Sequence, residues 1–476
     1  MRLLAALCFA LPLLAHVGSP DVFYEGTAGP YRLLVTIRPP QAIPGVAQIE
    51  IRSASPDVRQ VRVVPLRITG PGAKMAPVPD VAERSHDDPQ FFTGSLWLMT
   101  TGSWQVRVEA DGSQGSGTLS VPVPAVATRI LPLQKGLGAL LIGLGLVLFI
   151  GLVSIIGAAN REGFLEPGKE PDRRSIRRAR IAMAGTGILL AGALWLGNVW
   201  WKSEAAGYAQ RIFKPLQFKT TLEPGSRLVL RLEDPGWLNR KADDLIPDHN
   251  HLMHLYVLHV PEMDQVWHLH PERTGDTEFT QILPAMAAGR YALFGDIVHE
   301  NGFPETVTAE VDLPQVEGQP LAGDDAGVAG LPLAKADYNS VVFPLSGGYR
   351  MVWERGPMPY RARQPYEFRF RVEDSSGQPA GGMELYMGMQ GHAAFIRTDR
   401  SVFAHVHPSG SVPMAALGLV AAPDPHAGHM AMLHGGIPAA VSFPYGFPKS
   451  GDYRIVVQVK RAGKVETGIF DTRVEN

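Results

Sequence analysis

The sequence predicts a mainly β fold with three small immunoglobulin-like β-sandwich domains plus two transmembrane α-helices. Short stretches of alternating apolar and polar residues, separated by Gly, Pro and Asp, recur before residue 130 and after residue 215. Two uncharged runs of helix length lie between these regions. The chain has 476 residues, with 51 Gly and 40 Pro but only 19% charged residues. This composition suits short strands joined by turns, together with helices buried in lipid.

The amino-terminal segment, residues 1–18, has the features of a signal peptide. Arg2 supplies a positive start, and an apolar run follows from Leu3 to Leu14. An uncleaved anchor is the alternative. Residues 19–130 then carry alternating stretches such as Gln105–Glu109, and we expect them to form the first periplasmic β-sandwich.

The two apolar runs, 136–159 and 181–201, are long enough to cross a ~30 Å hydrocarbon core. The segment 160–180 between them is strongly basic, with Arg161, Lys169, Arg173, Arg174, Arg177, Arg178 and Arg180. A short basic loop stays in the cytoplasm by the positive-inside rule. The prediction is therefore a two-pass protein of the bacterial inner (plasma) membrane, with both termini and all β-domains periplasmic. Buried core helices of a soluble protein are the alternative, which the length and lack of charge disfavour.

The region after the helices contains an internal repeat of three short motifs. The motifs are His-x12–13-His-x-His-Pro, Gly-x-Tyr and Glu-Thr. The first copy has His254, His268, His270, Pro271, Gly289, Tyr291, Glu305 and Thr306; the second has His392, His405, His407, Pro408, Gly451, Tyr453, Glu466 and Thr467. We therefore predict a histidine-rich β-sandwich repeat at 215–315, a linker at 316–335 and a second, His/Met-rich repeat at 336–476.

Each His-x-His places two imidazoles on one face of a strand, because strand side chains alternate with period two. In the first copy, a three-residue loop at Pro261–Met263 would set His254 opposite His270. In the second copy two hairpin registers are open, which place His392 opposite either His405 or His407. Three histidines converge in every case, and such a group suits Cu(II) or Zn(II).

Further donors surround these hairpins. The cluster 248–254 precedes the first hairpin, and the Gly/Ala/Pro-rich insertion 426–434 follows the second. Thioether sulfur favours Cu(I), so methionine points to copper, as Cu(I) and/or Cu(II), with zinc possible. The predicted metal ligands are His249, His251, His254, His268, His270, His299, Met387, Met389, His392, His405, His407, His426, His429, Met430, Met432 and His434.

Composition excludes several other functions. The net charge is -2 and the pI is near 6.7, so nothing indicates a nucleic-acid partner. The single cysteine, Cys8, lies in the predicted signal peptide, which excludes thiol catalysis and cysteine-based metal sites in the mature chain. No grouping typical of hydrolytic or phosphoryl chemistry stands out. The sequence leaves enzyme activity undecided and favours its absence, since no substrate pocket can be identified, although His-x-His and methionine also occur in copper monooxygenases.

The strand pattern of 245–315 and 338–475, with its Gly-x-Tyr and His-x-His-Pro elements, resembles the YtkA-like and FixH-like exported bacterial β-sandwich domains. The resemblance implies an extracytoplasmic location and a link with copper supply or cytochrome oxidase assembly. The chain lacks the His-Met and His-x-Met spacing of the periplasmic copper chaperones and is not assigned to them.

The sequence as a whole predicts a membrane-anchored periplasmic copper-binding protein. It would contact membrane lipid through two helices and act in copper delivery to an oxidase or other membrane partner, in oxidase assembly or in copper tolerance. Two alternatives stay open: a structural or partner-binding module with structural histidines, and a copper-dependent oxidase or monooxygenase.

Overall fold

A computed structural model describes residues 21–476 except residues 71, 167, 239, 357 and 421–435. The predicted signal peptide and five predicted ligands, His426, His429, Met430, Met432 and His434, lie outside the described residues. The chain divides into two compact units: residues up to 128 together with residues from 213 onward, and residues 129–212. The mainly β fold class with two apolar helices is confirmed.

The first region is a β-sandwich, because its strands alternate apolar residues toward a shared interior. In β2, for example, Tyr31, Leu33, Val35 and Ile37 are all buried. Within residues 21–125, residue 71 aside, the sheet orders are β1-β2-β3-β7-β6 and β5-β4-β8-β9. The strands are Val22–Ala28 (β1), Tyr31–Arg38 (β2), Gly45–Ser53 (β3), Val58–Arg67 (β4), Asp80–Val81 (β5), Glu83–Arg84 (β6), Phe91–Leu98 (β7), Gly102–Gly112 (β8) and Gly115–Ala125 (β9).

The second unit is a pair of helices, Lys135–Glu162 (α1) and Arg173–Gln210 (α2), which contain the two predicted apolar runs. Both are long and apolar enough to cross a membrane. They pack closely at Gly157, where an added Cβ would lie 2.6 Å from the sulfur of Met183. The basic segment Arg173–Arg180 forms the first turns of α2, and Asp172 caps that helix by accepting a hydrogen bond from Ser175 N–H.

The first repeat forms one long sheet that folds over its own apolar core, which includes Leu230, Leu255, Val257 and Phe279. Its order is β15-β16-β11-β10-β18-β17-β13-β14-β19, with β12 pairing with β17. The strands are Gln217–Glu223 (β10), Arg227–Glu233 (β11), Leu245–Ile246 (β12), His254–Val260 (β13), Gln265–Leu269 (β14), Glu272–Arg273 (β15), Glu278–Ile282 (β16), Gly289–His299 (β17), Pro304–Leu313 (β18) and Ala326–Ala329 (β19). Residues 316–335, predicted as a linker, thus contain β19, which extends the sheet beyond β14.

The second repeat is a sandwich of two sheets around an aromatic core that includes Trp353, Phe368, Phe395 and Tyr445. Its sheet orders are β20-β21-β23-β27 and β22-β29-β28-β25-β26, with β24 pairing with β28. The elements are 3-10 turns at Leu333–Lys335 and Ser346–Gly348, Val342–Pro344 (β20), Arg350–Glu354 (β21), Tyr360–Arg361 (β22), Tyr366–Glu373 (β23), Met383–Glu384 (β24), His392–Arg397 (β25), Phe403–Val406 (β26), Met414–Val420 (α3), Ala440–Tyr445 (β27), Gly451–Arg461 (β28) and Lys464–Glu475 (β29).

The two repeats share a strand order and pack face to face. β18-β17-β13-β14 in the first corresponds to β29-β28-β25-β26 in the second. An apolar cluster with members from both repeats fills the contact, and Phe294 stacks on Phe403 with ring centroids 4.6 Å apart. The amino-terminal sandwich joins the same unit, because Glu25 N–H donates to the carbonyl of Ser409 at 2.7 Å.

Candidate metal centre

The two histidine-bearing hairpins follow the predicted geometry. In the first, Leu255 pairs with Leu269, which is the register predicted to set His254 opposite His270. In the second, Ala393 pairs with Val406, so the open choice resolves to His392 opposite His407. Leu255 and Leu269 belong to the core of the first repeat, and Ala393 and Val406 belong to the core of the second. Side chains alternate across a sheet, so the adjacent histidines point the other way. The histidines therefore face the contact with the other repeat.

Packing of the repeats brings the two sets of histidines into one cluster. Neighbouring ring centroids are separated by 4.0 Å for His251–His270, 5.3 Å for His254–His405 and 5.1 Å for His392–His407. We call this group the histidine cluster. Within the described residues its members are His249, His251, His254, His268, His270, His392, His405 and His407. The sequence predicted two separate groups, whereas the structure joins them across the contact between the repeats.

Hydrogen bonds to acceptors fix the protons on two histidines of the first repeat. The carbonyl oxygen of Asp248 lies 3.1 Å from His254 Nε2, so Nε2 carries the proton and Nδ1 presents a lone pair. Gln458 Oε1 lies 2.8 Å from His268 Nδ1, while the amide nitrogen of Gln458 donates to Thr467 Oγ1 at 3.4 Å. With the Gln458 amide assigned in this orientation, His268 Nε2 presents a lone pair as well. These two unprotonated nitrogens are 3.2 Å apart.

Two lone pairs at this separation repel each other unless a cation lies between them. Two nitrogens bound tetrahedrally to one zinc or copper ion at about 2.0–2.1 Å are roughly 3.3 Å apart, close to the spacing of His254 and His268. His270 supplies a third donor: its Nδ1 is 3.0 Å from Asp325 Oδ1, and its Nε2 is buried with no hydrogen-bond partner among the described residues. The three ligand atoms lie within 4.8 Å of one another.

A second three-histidine group is formed by His249, His392 and His407, whose ligand atoms also lie within 4.8 Å of one another. His249 Nδ1 is 2.8 Å from the carbonyl of Met387, and His407 Nδ1 is 3.3 Å from the carbonyl of Val412. The Nε2 atoms of both are buried without a partner in the described part of the chain, as are both ring nitrogens of His392. A carbonyl that holds the far nitrogen while the near one stays free is the usual arrangement around metal-bound histidine.

Burial keeps several histidines of the cluster neutral. It lowers the pKa of His254, His268, His392 and His405 well below the usual range, and the neighbouring imidazoles act in the same direction. Burial also lowers the pKa of His407 to about 4. Near neutral pH these rings are therefore unprotonated, which is the form that binds metal ions.

Each repeat also orients a histidine of the other. Asp296 pairs with His254 across β17 and β13, and Gln458 pairs with His392 across β28 and β25, so the two residues occupy equivalent positions. Gln458 reaches His268 of the first repeat, and the Asp296 carboxylate lies 3.5 Å from His405 Nδ1 of the second. Burial and the nearby Asp248 raise the pKa of Asp296 to about 7, although a hydrogen bond from Thr306 opposes this shift.

His299, predicted as a ligand, lies outside both groups. Its Nδ1 is 2.6 Å from Asp244 and its Nε2 is 3.3 Å from Glu305. Burial lowers the pKa of His299, but the hydrogen bonds to Glu305 and Asp244 outweigh it and raise the pKa overall. A protonated ring that donates from both nitrogens has no lone pair for a metal. The equivalent position in the second repeat is Arg461, which pairs with Glu466 at 3.4 Å.

Met387 and Met389 lie on a tight turn rather than on a strand. The turn is closed by hydrogen bonds between Tyr386 and Met389, and Met387 is buried. The sequence did not single out Asp248, Gln458 or Asp325 as partners of the ligands. Gln458 could have been found by aligning the repeats, since it occupies the position of Asp296, whereas Asp325 falls in the stretch predicted as a linker.

A cavity of about 170 Å³ opens onto one side of the histidine cluster. His254, His405 and His407 line it together with Asp248 and Asp296. Its opposite wall comes from the amino-terminal sandwich and contains several prolines, namely Pro39, Pro40, Pro122 and Pro124. That sandwich, which carries no histidine of the cluster, therefore shapes the space beside it.

Comparison with known proteins adds little to this description. Residues 344–476, which span most of the second repeat, match a family described as a domain of unknown function (DUF8832), and the match covers well under half of the chain. No curated protein matches the chain.

Solved structures are similar only in broad outline. A tetra-tandem repeat from a large adhesion protein aligns over 91% of this chain and 71% of its own, at 9% identity and a TM-score of 0.17. Dimeric latent PorU from Porphyromonas gingivalis aligns over 96% and 34%, at 9% identity and a TM-score of 0.15. A putative membrane anchored protein from Corynebacterium diphtheriae aligns over 96% of both chains, at 9% identity and a TM-score of 0.16. TM-scores this low carry no argument about fold or function.

Proposed function

We propose that this is a membrane-anchored periplasmic protein that binds transition-metal ions, copper above all, in the histidine cluster. Its role would be copper delivery to an oxidase or other membrane partner, oxidase assembly, or copper tolerance. The observation that carries the proposal is the pair of unprotonated nitrogens, His254 Nδ1 and His268 Nε2, held 3.2 Å apart. The spacing fits two ligands of one metal ion.

The alternative of structural histidines is disfavoured by the unpartnered ring nitrogens. Leaving a buried polar atom without a partner costs about 1–3 kcal/mol. Among the described residues, the cluster has several such atoms, on His249, His270, His392, His405 and His407. Their combined cost would be comparable with the net stability of a whole domain, about 5–15 kcal/mol. A metal ion accepts these lone pairs, and structural packing does not.

Imidazole donors bind both copper and zinc, so the histidines alone do not distinguish the two metals. Copper is preferred because Met387 lies on the turn whose carbonyl holds His249, and thioether sulfur binds Cu(I) far better than zinc. The neutral state of the cluster suits either ion.

The two-pass topology is supported by the way the chain packs. The regions before α1 and after α2 form one compact unit, which is expected for a chain whose helix pair enters and leaves a membrane on one side. The basic residues between the helices favour the cytoplasm for that segment. The three β-regions would then be periplasmic.

A copper-dependent oxidase or monooxygenase is the second candidate, because His405 and His407 line the cavity beside the cluster. Oxygen consumption by the copper-loaded protein in the presence of a reductant separates this candidate from a binding protein.

Metal retention by the full-length protein in detergent tests the proposal. The protein is loaded with copper or zinc, passed over a chelating column and analysed for metal. We expect the unaltered chain and the control His259→Gln to retain metal, since His259 bonds Asp264 outside the cluster. The double variant His392→Leu, His407→Leu should lose at least one ion per chain. Equal retention by the double variant and the control would contradict metal binding at His392 and His407, and equal retention by His254→Leu, His268→Leu as well would contradict metal binding in the whole cluster.

A further inference from the structure

The two repeats carry equivalent turns just before their histidine strands. The turn Asp248–His251 begins six residues before His254, and Tyr386–Met389 begins six residues before His392. Both turns are closed by reciprocal backbone hydrogen bonds between their end residues. Their central residues have positive φ in both cases, 49° and 70° at His249 and Asn250, and 50° and 79° at Met387 and Gly388. His249 and Met387 therefore occupy the same position in the two repeats.

His249 does not serve the histidines of its own repeat. Its ring lies 5.0 Å from that of His392 and 4.8 Å from that of His407, both in the second repeat, and 6.1 Å from that of His254. The turn of the first repeat thus completes the three-histidine group of the second.

The turn of the second repeat lies against the first repeat in the same way. The hydroxyl of Tyr386 is 3.4 Å from His268 Nδ1 and donates to the carbonyl of Asp324 at 2.7 Å. Met387 follows directly and is only 9% exposed. Asp296 and Gln458 show the same reciprocal relation, since each occupies the same position in its own repeat and contacts a histidine of the other.

From this relation we infer that the thioether of Met387 is the fourth ligand of the group His254, His268 and His270. The inference rests on the proposed function, and it makes the two centres chemically different. The centre at His249, His392 and His407 offers nitrogen only, which suits Cu(II) or Zn(II). The centre with Met387 offers three nitrogens and one soft sulfur, which favours Cu(I).

X-ray absorption of the full-length protein loaded with Cu(I) under anaerobic conditions tests this assignment. The unaltered chain should show copper–sulfur scattering beside imidazole scattering. Met387→Leu should remove most of the sulfur contribution and weaken the binding of one Cu(I) by roughly tenfold or more, as expected for loss of a metal-site group. Met383→Leu, whose side chain packs against the aromatic core of the second repeat, is the matched control and should leave both quantities unchanged.

A gain of function provides an independent check. Met387→His replaces the soft sulfur with a fourth imidazole, so this centre should bind Zn(II) more tightly and Cu(I) less tightly than in the unaltered chain. An unchanged sulfur contribution in Met387→Leu, with two Cu(I) still bound, would overturn the role of Met387 and leave the histidine cluster as a metal centre. If the unaltered chain retains no copper at all, the proposed function itself fails.

Discussion

Individual histidines in the cluster differ in how their nitrogens are used, and the difference has opposite consequences for stability. His268 donates from Nδ1 to Gln458 Oε1 at 2.8 Å. Both ring nitrogens of His392 are buried without a partner among the described residues. The hydrogen bond to Gln458 therefore stabilises His268 in the folded protein. Burial of the two unpartnered nitrogens of His392 instead lowers the stability of the metal-free protein.

Replacing each of these two residues by leucine should separate stability from metal binding. In the metal-free protein, His268→Leu should lower the free energy of unfolding by about 1–3 kcal/mol, because it leaves Gln458 Oε1 buried and unpartnered. His392→Leu should leave that free energy unchanged or raise it, since it removes two unpartnered atoms. Both variants should bind metal more weakly. Denaturant unfolding after chelation measures the first effect, and equal destabilisation by the two variants would argue against the assignment.

The residues of the cluster were largely predictable from sequence, but their partners were not. The alternation of strands predicts which face His254, His268 and His270 share, and the register confirmed it. Gln458 lies almost two hundred residues from the His268 that it orients, and no local pattern connects the two. Likewise, the prediction for His299 rested on residue type alone and missed Asp244 and Glu305 on either side of the ring.

At the level of strands, β17 and β28 each supply a side chain that contacts a histidine of the opposite repeat. Each carries a polar residue, Asp296 or Gln458, two positions after an apolar residue, Phe294 or Val456, that packs in the contact between repeats. The sequence predicted these strands from their motifs but gave no reason for a buried glutamine. The reason is that β28 is buried on both faces, and Gln458 accepts a hydrogen bond from His268 of the first repeat.

Gln458→Leu should weaken metal binding about 10- to 100-fold, which is typical for loss of a group that orients a ligand. Without an acceptor at Nδ1, the proton of His268 is free to move to Nε2 and block the lone pair. Gln458→Glu keeps an acceptor at the same place and is the control, for which we expect a much smaller loss. Competition with a chromophoric chelator measures both affinities, and equal losses in the two variants would contradict the tautomer argument.

For the whole molecule, the decisive feature is the packing of two repeats and the amino-terminal sandwich into one unit. The sequence predicts three β-regions and their order, yet it does not predict that the histidine faces of two of them meet. Strand β13 hints at this, since its residues on both faces are apolar or histidine and nearly all are buried. A strand that is apolar on both faces is expected to be buried on both sides, but the pattern does not say which part of the protein packs against each side.

The same packing makes the metal-free protein sensitive to acid. The pKa of His407 is about 4 in the folded protein and near 6.5 in the unfolded chain. Between these values only the unfolded chain binds the proton, so the free energy of unfolding falls as the pH is lowered. His407 alone should account for roughly 2 kcal/mol between pH 7 and pH 5, and the other cluster histidines with lowered pKa act in the same direction. The raised pKa of Asp296, about 7, acts in the opposite direction, so the contribution of His407 is measured by comparing the unfolding of the chelated unaltered chain with that of His407→Leu at the two pH values. The same change in stability with pH in both proteins would contradict a buried neutral His407.

The central claim is that the histidine cluster between the two repeats holds metal ions. Anomalous X-ray diffraction at the copper edge, from crystals of the copper-loaded full-length protein, tests it most directly. The account predicts one peak among His254, His268 and His270 and another among His249, His392 and His407. Copper peaks confined to the protein surface, with none in the cluster, would contradict it.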